Sequence, residues 1–259
     1  MSLLDDLKKQ ADLQKGQEGE GAEQKKRHFD AVQAALKLVS RYLSELAKSL
    51  NVIKPPVRRG FAVEQTIKFE NLFAVEYSAT DRRQTIEHKD HLREAFMRFR
   101  WISEHPTTVM AEKRSLATIQ RLREDLESFG LRFNLNEVKN DRLVIERGVF
   151  AIQNEIGAAV TVTGDWETGK IRLRLKNIER LGNFDFHYVA DEIDNALLDE
   201  LAKLLLGQPN RFRAMGKHQQ NMQTIPQVRS VIKPVEEEIE ESQETKKGVL
   251  SGLKSLFKR

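Results

Sequence analysis

The chain has 259 residues, 43 Lys and Arg against 39 Asp and Glu, and no cysteine. That length buries a core without covalent staples, and the lack of thiols excludes a disulfide framework, a thiol nucleophile and a thiolate zinc site, as suits a reducing cytoplasm. A net charge of +4 is too mild to name a nucleic-acid partner, and no apolar run approaches the ~18 residues of a membrane span.

The opening MSLLDDLKKQAD carries acids where an export signal is basic and then apolar, so we expect a cytoplasmic protein, at most peripheral on the inner membrane face. Residues 1–22 read as a short helix, with Leu3, Leu4, Leu7 and Ala11 on one side, followed by the glycine-bearing linker QKGQEGEGA. Residues 23–54 read as a helical arm. Its apolar positions Phe29, Val32, Leu36, Val39, Leu43, Leu46 and Leu50 alternate in steps of three and four. That is a heptad seam, and it needs a partner along its whole length. We take it as a self-associating, coiled-coil arm of a homo-oligomer; the alternative is packing on the chain's own sheet. Pro55 and Pro56 stop the helix.

From residue 58 to 212 the period changes. FAVEQTIKF, LFAVEYS and REAFMRFRW alternate as antiparallel strands, with a polar hairpin centred on Thr80-Asp81. Pro106-Thr107-Thr108 is expected to open a helix burying Met110, Leu116, Ile119, Leu122, Leu126 and Phe129 and ending at Gly130. LRFNL, RLVIERGVFAI, IGAAVTVTG, KIRLRLK and NFDFHYV then offer strands, and a last helix from about Asp191 carries Ile193, Leu197, Leu201, Leu204 and Leu205 up to Gly207. The pattern predicts an α+β domain, an antiparallel sheet covered by two helices. Its order, strands then helix twice over, also admits duplication of one block.

Residues 213–247 are polar and aperiodic, a disordered tether. Residues 248–259 close the chain as a basic amphipathic helix. Val249, Leu250, Leu253, Leu256 and Phe257 share one helical face, and Lys246, Lys247, Lys254 and Lys258 surround it. Such a segment gains stability at an anionic membrane surface or in a protein groove. In this respect it resembles the C-terminal membrane-targeting helices of bacterial cell-division proteins of the Min type, and the likeness is confined to this segment.

Sites of chemistry are sparse. His88 and His91 sit among acids in EHKDHLRE, but the stretch reads as an exposed hairpin rather than a metal site. Asp191, Glu192, Asp194, Asp199 and Glu200 are accounted for by the dipole at a helix start. No phosphate-binding glycine loop, dinucleotide fingerprint or nucleophile elbow occurs, so neither cofactor nor catalytic residue is nominated. Arg98, Arg100, Arg172, Arg174 and Lys176 lie on outward strand positions; on one open face they would track phosphates. The expectation is therefore a non-enzymatic adaptor, recruited by its C-terminal segment to a membrane surface or a partner protein. A nucleic-acid-binding protein using the arginine stripe and an enzyme with an unrecognised site are the alternatives.

Overall fold

The computed structural model describes residues 3–86, 88–104, 107–215 and 218–219. The fold is α+β. A long helix α1 (Leu3–Ile53) precedes strands β1 (Arg58–Glu64), β2 (Ile67–Ile86) and β3 (Lys89–Ile102). Then come β4 (Thr108–Lys113), α2 (Leu116–Phe129), β5 (Phe133–Lys139) and β6 (Ile145–Gln153). Strands β7 (Glu155–Asp165), β8 (Lys170–Lys176) and β9 (Asn183–Val189) follow, then helices α3 (Asn195–Leu205) and α4 (Phe212–Met215) and the two-residue β10 (His218–Gln219). The main sheet runs β1-β2-β3-β7-β8-β9-β10, all antiparallel, and a second sheet runs β4-β6-β5.

Strand alternation decides which way the main sheet faces. Ala95, Met97, Phe99 and Trp101 of β3 pair with Val162, Val160, Ala158 and Ile156 of β7, and all eight are buried. Ile171, Leu173 and Leu175 of β8 and Phe186 and Tyr188 of β9 continue the same apolar face. Helix α1 lies across it. Val32, Leu36, Val39, Leu43 and Leu50 are each at most 4 % exposed, with Phe29 and Leu46 half-buried beside them. The heptad stripe is thus covered by the chain's own sheet, which corrects its reading as a self-association seam. The reason is the width of the buried face. Ala35 and Ala47 are buried as well, broadening a two-position seam into the stripe of a globular helix, and small residues let the helix approach. Gly164 completes the fit: a Cβ there would lie 2.3 Å from Val32 Cγ1 and 3.1 Å from Leu36 Cδ1.

Two amides fasten α1 to the sheet where the β2–β3 ladder is interrupted. The register shifts between Val75 and Ser78, and again between Arg82 and Arg83. Beside the first shift, Asn51 donates to Tyr77 O at 2.7 Å and accepts from Tyr77 N at 3.0 Å. Beside the second, Gln33 donates to Leu92 O at 2.7 Å and accepts from Leu92 N at 3.0 Å. Each amide supplies the two partners that an interrupted ladder withholds.

Four local expectations change. Helix α1 continues through residues 14–22, where a linker was expected. A glycine costs a helix about 1 kcal/mol, and the Gln, Lys, Glu and Ala around these glycines are good helix formers. FAVEQTIKF is two strands, with the turn at Gln65-Thr66. Thr80-Asp81 lies inside β2, and the β2–β3 turn falls at His88, in the left-handed region with φ 63°. Residues 108–113 form a strand, so Met110 is 61 % exposed, and Leu116, at the helix start, 58 %. The helix begins only after Ser115, whose hydroxyl caps Thr118 N, and it ends at Gly130 with φ 69° as expected.

The helices over the main sheet are α1 and α3, joined by a 2.7 Å hydrogen bond from Tyr42 to Asp199. Helix α2 covers the three-stranded sheet instead, through Ile119, Leu122, Leu126 and Phe129. The expected tether and terminal helix lie outside the described residues, apart from Arg213–Met215 in α4 and His218–Gln219 in β10.

Truncating the fully buried Leu36 to Ala is expected to cost about 2–5 kcal/mol. Asn51→Ala, which leaves both backbone groups of Tyr77 unpartnered, should cost about 1–3 kcal/mol. Urea unfolding followed by circular dichroism measures both. A near-zero loss for Leu36→Ala would mean that the stripe does not hold this helix to the sheet.

Candidate functional site

The opposite face of the main sheet carries no helix. Its rows follow from the register: Ser78, Arg98, Ala159, Lys176 and Asn183 lie side by side, then Thr80, Phe96, Thr161, Arg174 and Asp185, then Arg82, Glu94, Thr163, Arg172 and His187. All five cations singled out in the sequence therefore stand on one face: Arg98 and Arg100 on β3, and Arg172, Arg174 and Lys176 on β8. Between them β7 presents Gly157, Ala159, Thr161 and Thr163, with Glu155 and Asp165 at the two ends of the same row. Two inter-strand spacings put the flanking rows about 10 Å apart. The small floor between them makes a trough, and a Cβ added at Gly157 would meet nothing within 4 Å.

The walls are unequal in charge. Arg174 holds Asp185 in a two-pronged pair, Nε at 2.7 Å and Nη2 at 2.8 Å. That hydrogen-bonded guanidinium keeps the Asp185 carboxyl below its usual range. Arg100 is bound to Glu76 and, at 2.9 Å, to Glu155, which Arg132 also reaches at 2.5 Å. Burial pushes the Glu155 carboxyl up, but Arg100 and Arg132 outweigh it and the net shift is downward. Arg82 contacts Glu94 at 3.4 Å. Arg98 makes no ion pair among the described residues; its guanidinium lies over the Phe96 ring at 4.6 Å, with that of Arg82 also over the ring at 5.6 Å. Arg172 and Lys176 likewise make no ion pair there. Arg98, Arg172 and Lys176 thus border the trough outside these ion pairs; Arg172 also helps to lower the Asp185 carboxyl, and Lys176 Nζ lies beside the end of α2, 2.8 Å from where a Cβ on Gly130 would stand. Thr163 adds a buried Oγ1 without a hydrogen-bond partner.

The remaining nominated residues have structural roles or lie elsewhere. His91 packs edge-on against Phe29 at 4.8 Å, and His88 sits in the β2–β3 turn. Among the described residues no group of three or more His, Asp or Glu is placed to hold a metal ion. Asp194 caps α3 by accepting from Leu197 N at 2.8 Å, and Glu200 accepts from Lys203 and from Arg211 N. A cleft of about 510 Å³ separates α1 from the β7–β8 turn, lined in part by Glu23, Arg27, His28, Thr168 and Asp191. His28 closes one side of it, its Nδ1 2.9 Å from Glu167 O. Lys246, Lys247, Val249, Leu250, Leu253, Lys254, Leu256, Phe257 and Lys258 lie outside the described residues.

Sequence reasoning missed the trough floor. Its signal was present in IGAAVTVTG, whose alternate positions 157, 159, 161 and 163 are all small, but only the register shows that cations flank them. No family model, curated protein or solved structure matches the chain.

Because Asp185 and Glu155 titrate below their ordinary values in the folded chain, their stabilising effect is complete above the unfolded carboxylate pKa. It is lost as pH falls through the folded one. Thermal melting should therefore weaken below about pH 4, and Asp185→Asn should flatten that part of the profile while lowering the plateau near neutrality. A profile unchanged by Asp185→Asn would sink this assignment.

Proposed function

We propose that this chain is a non-enzymatic adaptor: its open sheet face holds an extended acidic segment of a partner protein, and its basic C-terminal segment takes the assembly to an anionic membrane surface. The observation that supports the first half is the trough along β7, floored by Gly157, Ala159, Thr161 and Thr163 and bordered by Arg98, Arg172 and Lys176. A floor one strand wide admits a single extended chain. The charge of its borders favours an acidic one, and Thr161 offers a hydroxyl to its backbone. The second half rests on the sequence of residues 246–259: an apolar helical face ringed with lysine, each worth about 1 kcal/mol near anionic headgroups.

One observation favours a nucleic-acid reading, namely that five cations share the face. Two others weigh against it. Arg100 and Arg174 are already paired with carboxylates. Phe96, the aromatic ring of those two strands on this face, is 9 % exposed beneath two guanidiniums, so it offers no stacking platform to a base.

Fluorescence anisotropy with a labelled glutamate-rich peptide and with an oligo-dT strand tests the trough. The peptide should bind, Arg98→Ala with Arg172→Ala should weaken it at least about tenfold, and Ala159→Phe, which fills the floor without changing charge, should do the same. Binding indifferent to Ala159→Phe places the ligand elsewhere; tighter binding of the oligonucleotide hands the face to phosphate. Liposome co-sedimentation tests the other half. The full chain should pellet only with anionic lipid, and a version ending at Glu244 should stay in the supernatant.

A further inference from the structure

The small sheet ends on a bare strand. β5 pairs with β6 on one side and is outermost on the other. Arg132 O accepts from Gln153 N at 2.9 Å, which sets the phase of the ladder. Asn134 and Asn136 therefore exchange their bonds with β6, while the N–H and C=O of Phe133, Leu135 and Glu137 point away from it. The other sheet margins are blunted in the ways native edges are. β1 carries two register shifts, β10 has two residues, and β4 lies against β2 and is ion-paired to the end of β1 through Lys113 and Glu64. β5 has no proline and keeps an unbroken register from Phe133 to Val138. The side chains of its outward-bonding residues line a cleft of about 360 Å³ shared with Arg123 and Glu127 of α2. A regular free edge beside half-buried apolar side chains is a template for an added strand.

We propose that this edge is a two-fold interface, in which β5 pairs antiparallel with β5 of a second copy about Leu135 and the two α2 helices lie side by side. Self-complementarity carries the assignment. α2 and β5 run in opposite directions from the turn at Gly130. Counted from the facing ends Phe129 and Phe133, four helical residues at about 1.5 Å and two strand residues at about 3.3 Å set Asp125 and Leu135 at nearly the same height. A two-fold axis at that level sets Leu135 against its own copy and Phe133 against Glu137. On the helices it sets Arg123 against Glu127, twice over. Within one chain these two pair with each other at 2.9 Å, both more than half exposed, so they are free to exchange partners across the interface. No like charges meet. The result is an isologous contact that joins two three-stranded sheets into one continuous sheet. It does not depend on the trough, and it doubles the number of C-terminal segments per assembly, so that avidity multiplies weak binding.

Sedimentation equilibrium of the full chain is the test, against a monomer mass of 29.9 kDa. The wild-type chain is expected at twice that mass. Glu137→Pro removes an outward N–H and leaves the ladder to β6 intact, so it should weaken the dimer at least about tenfold with an unchanged circular dichroism spectrum. R123E alone and E127R alone each set like charges across the axis and should be monomeric, whereas an equimolar mixture sets opposite charges and should return to the dimer mass. The mixture decides the matter even if Glu137→Pro fails to fold. A wild-type chain that stays monomeric overturns the proposal. So does a dimer that ignores both charge reversals, or one lost only when the chain ends at Glu244.

Discussion

Everything in the main domain depends on how α1 is held to the sheet. An antiparallel pair as long as β2 and β3 accumulates twist, and here it bends at two register shifts, where the local twist is strongest. Each shift leaves backbone groups short of partners on the buried side, where water is absent and an unmade hydrogen bond is costly. Gln33 and Asn51 answer those sites from one helix, eighteen residues apart, Gln33 from within the core and Asn51 from its exposed margin. Apolar packing between them excludes water, and the two amides fix position along the axis. A helix held by burial alone could slide by a turn; one that must also meet Leu92 and Tyr77 cannot.

With one face of the sheet committed to α1 and α3, the other is left open, and it is the face we propose as the working surface. Its chemistry follows from strand order. β7 is inserted between β3 and β8, so the arginine-bearing strands, about 70 residues apart in the chain, flank a strand of small residues. Arg174 with Asp185 and Arg100 with Glu155 are fixed in place by their partners, stiffening the walls. Arg98, Arg172 and Lys176 stand outside those ion pairs, and the proposed ligand would draw on them. This division between positioning and available cations is invisible until the cross-strand neighbours are known.

The β4-α2-β5-β6 module serves a different end. It is spliced between β3 and β7, shares one continuous core with the main sheet, to which Asn177 ties it by donating to Phe129 O at 2.9 Å, and finishes on an unblunted strand. Its packing is economical: Gly148 lies against Ile119 and Leu135, where a Cβ would come within 3.0 Å of the isoleucine, so α2 sits low on the sheet. That low seat brings Arg123 and Glu127 level with the β5 edge, and from it follows the match between helix charges and strand register that suits a second copy.

The sequence alone determined which segments are helix and which are strand wherever period and punctuation agree. The stripe of α1, the alternation of β3, β7 and β8, the Gly130 stop of α2 and the apolar face of α3 are all legible, because the side-chain period of an element is local. It failed where a local signal was weak or shared. The Gln65-Thr66 turn lacks glycine and proline, and the short β4 looked like the first turn of α2. Partnership was decided by the tertiary structure alone. A heptad stripe is the same string of residues whether it meets a second helix or a sheet, and Ala35, Ala47 and Gly164 become a seat for it only once β7 lies beneath. Nor do cations and small residues in separate strands state which are neighbours. Hydrogen-bond register supplies that, and register is set by contacts between residues far apart in the chain.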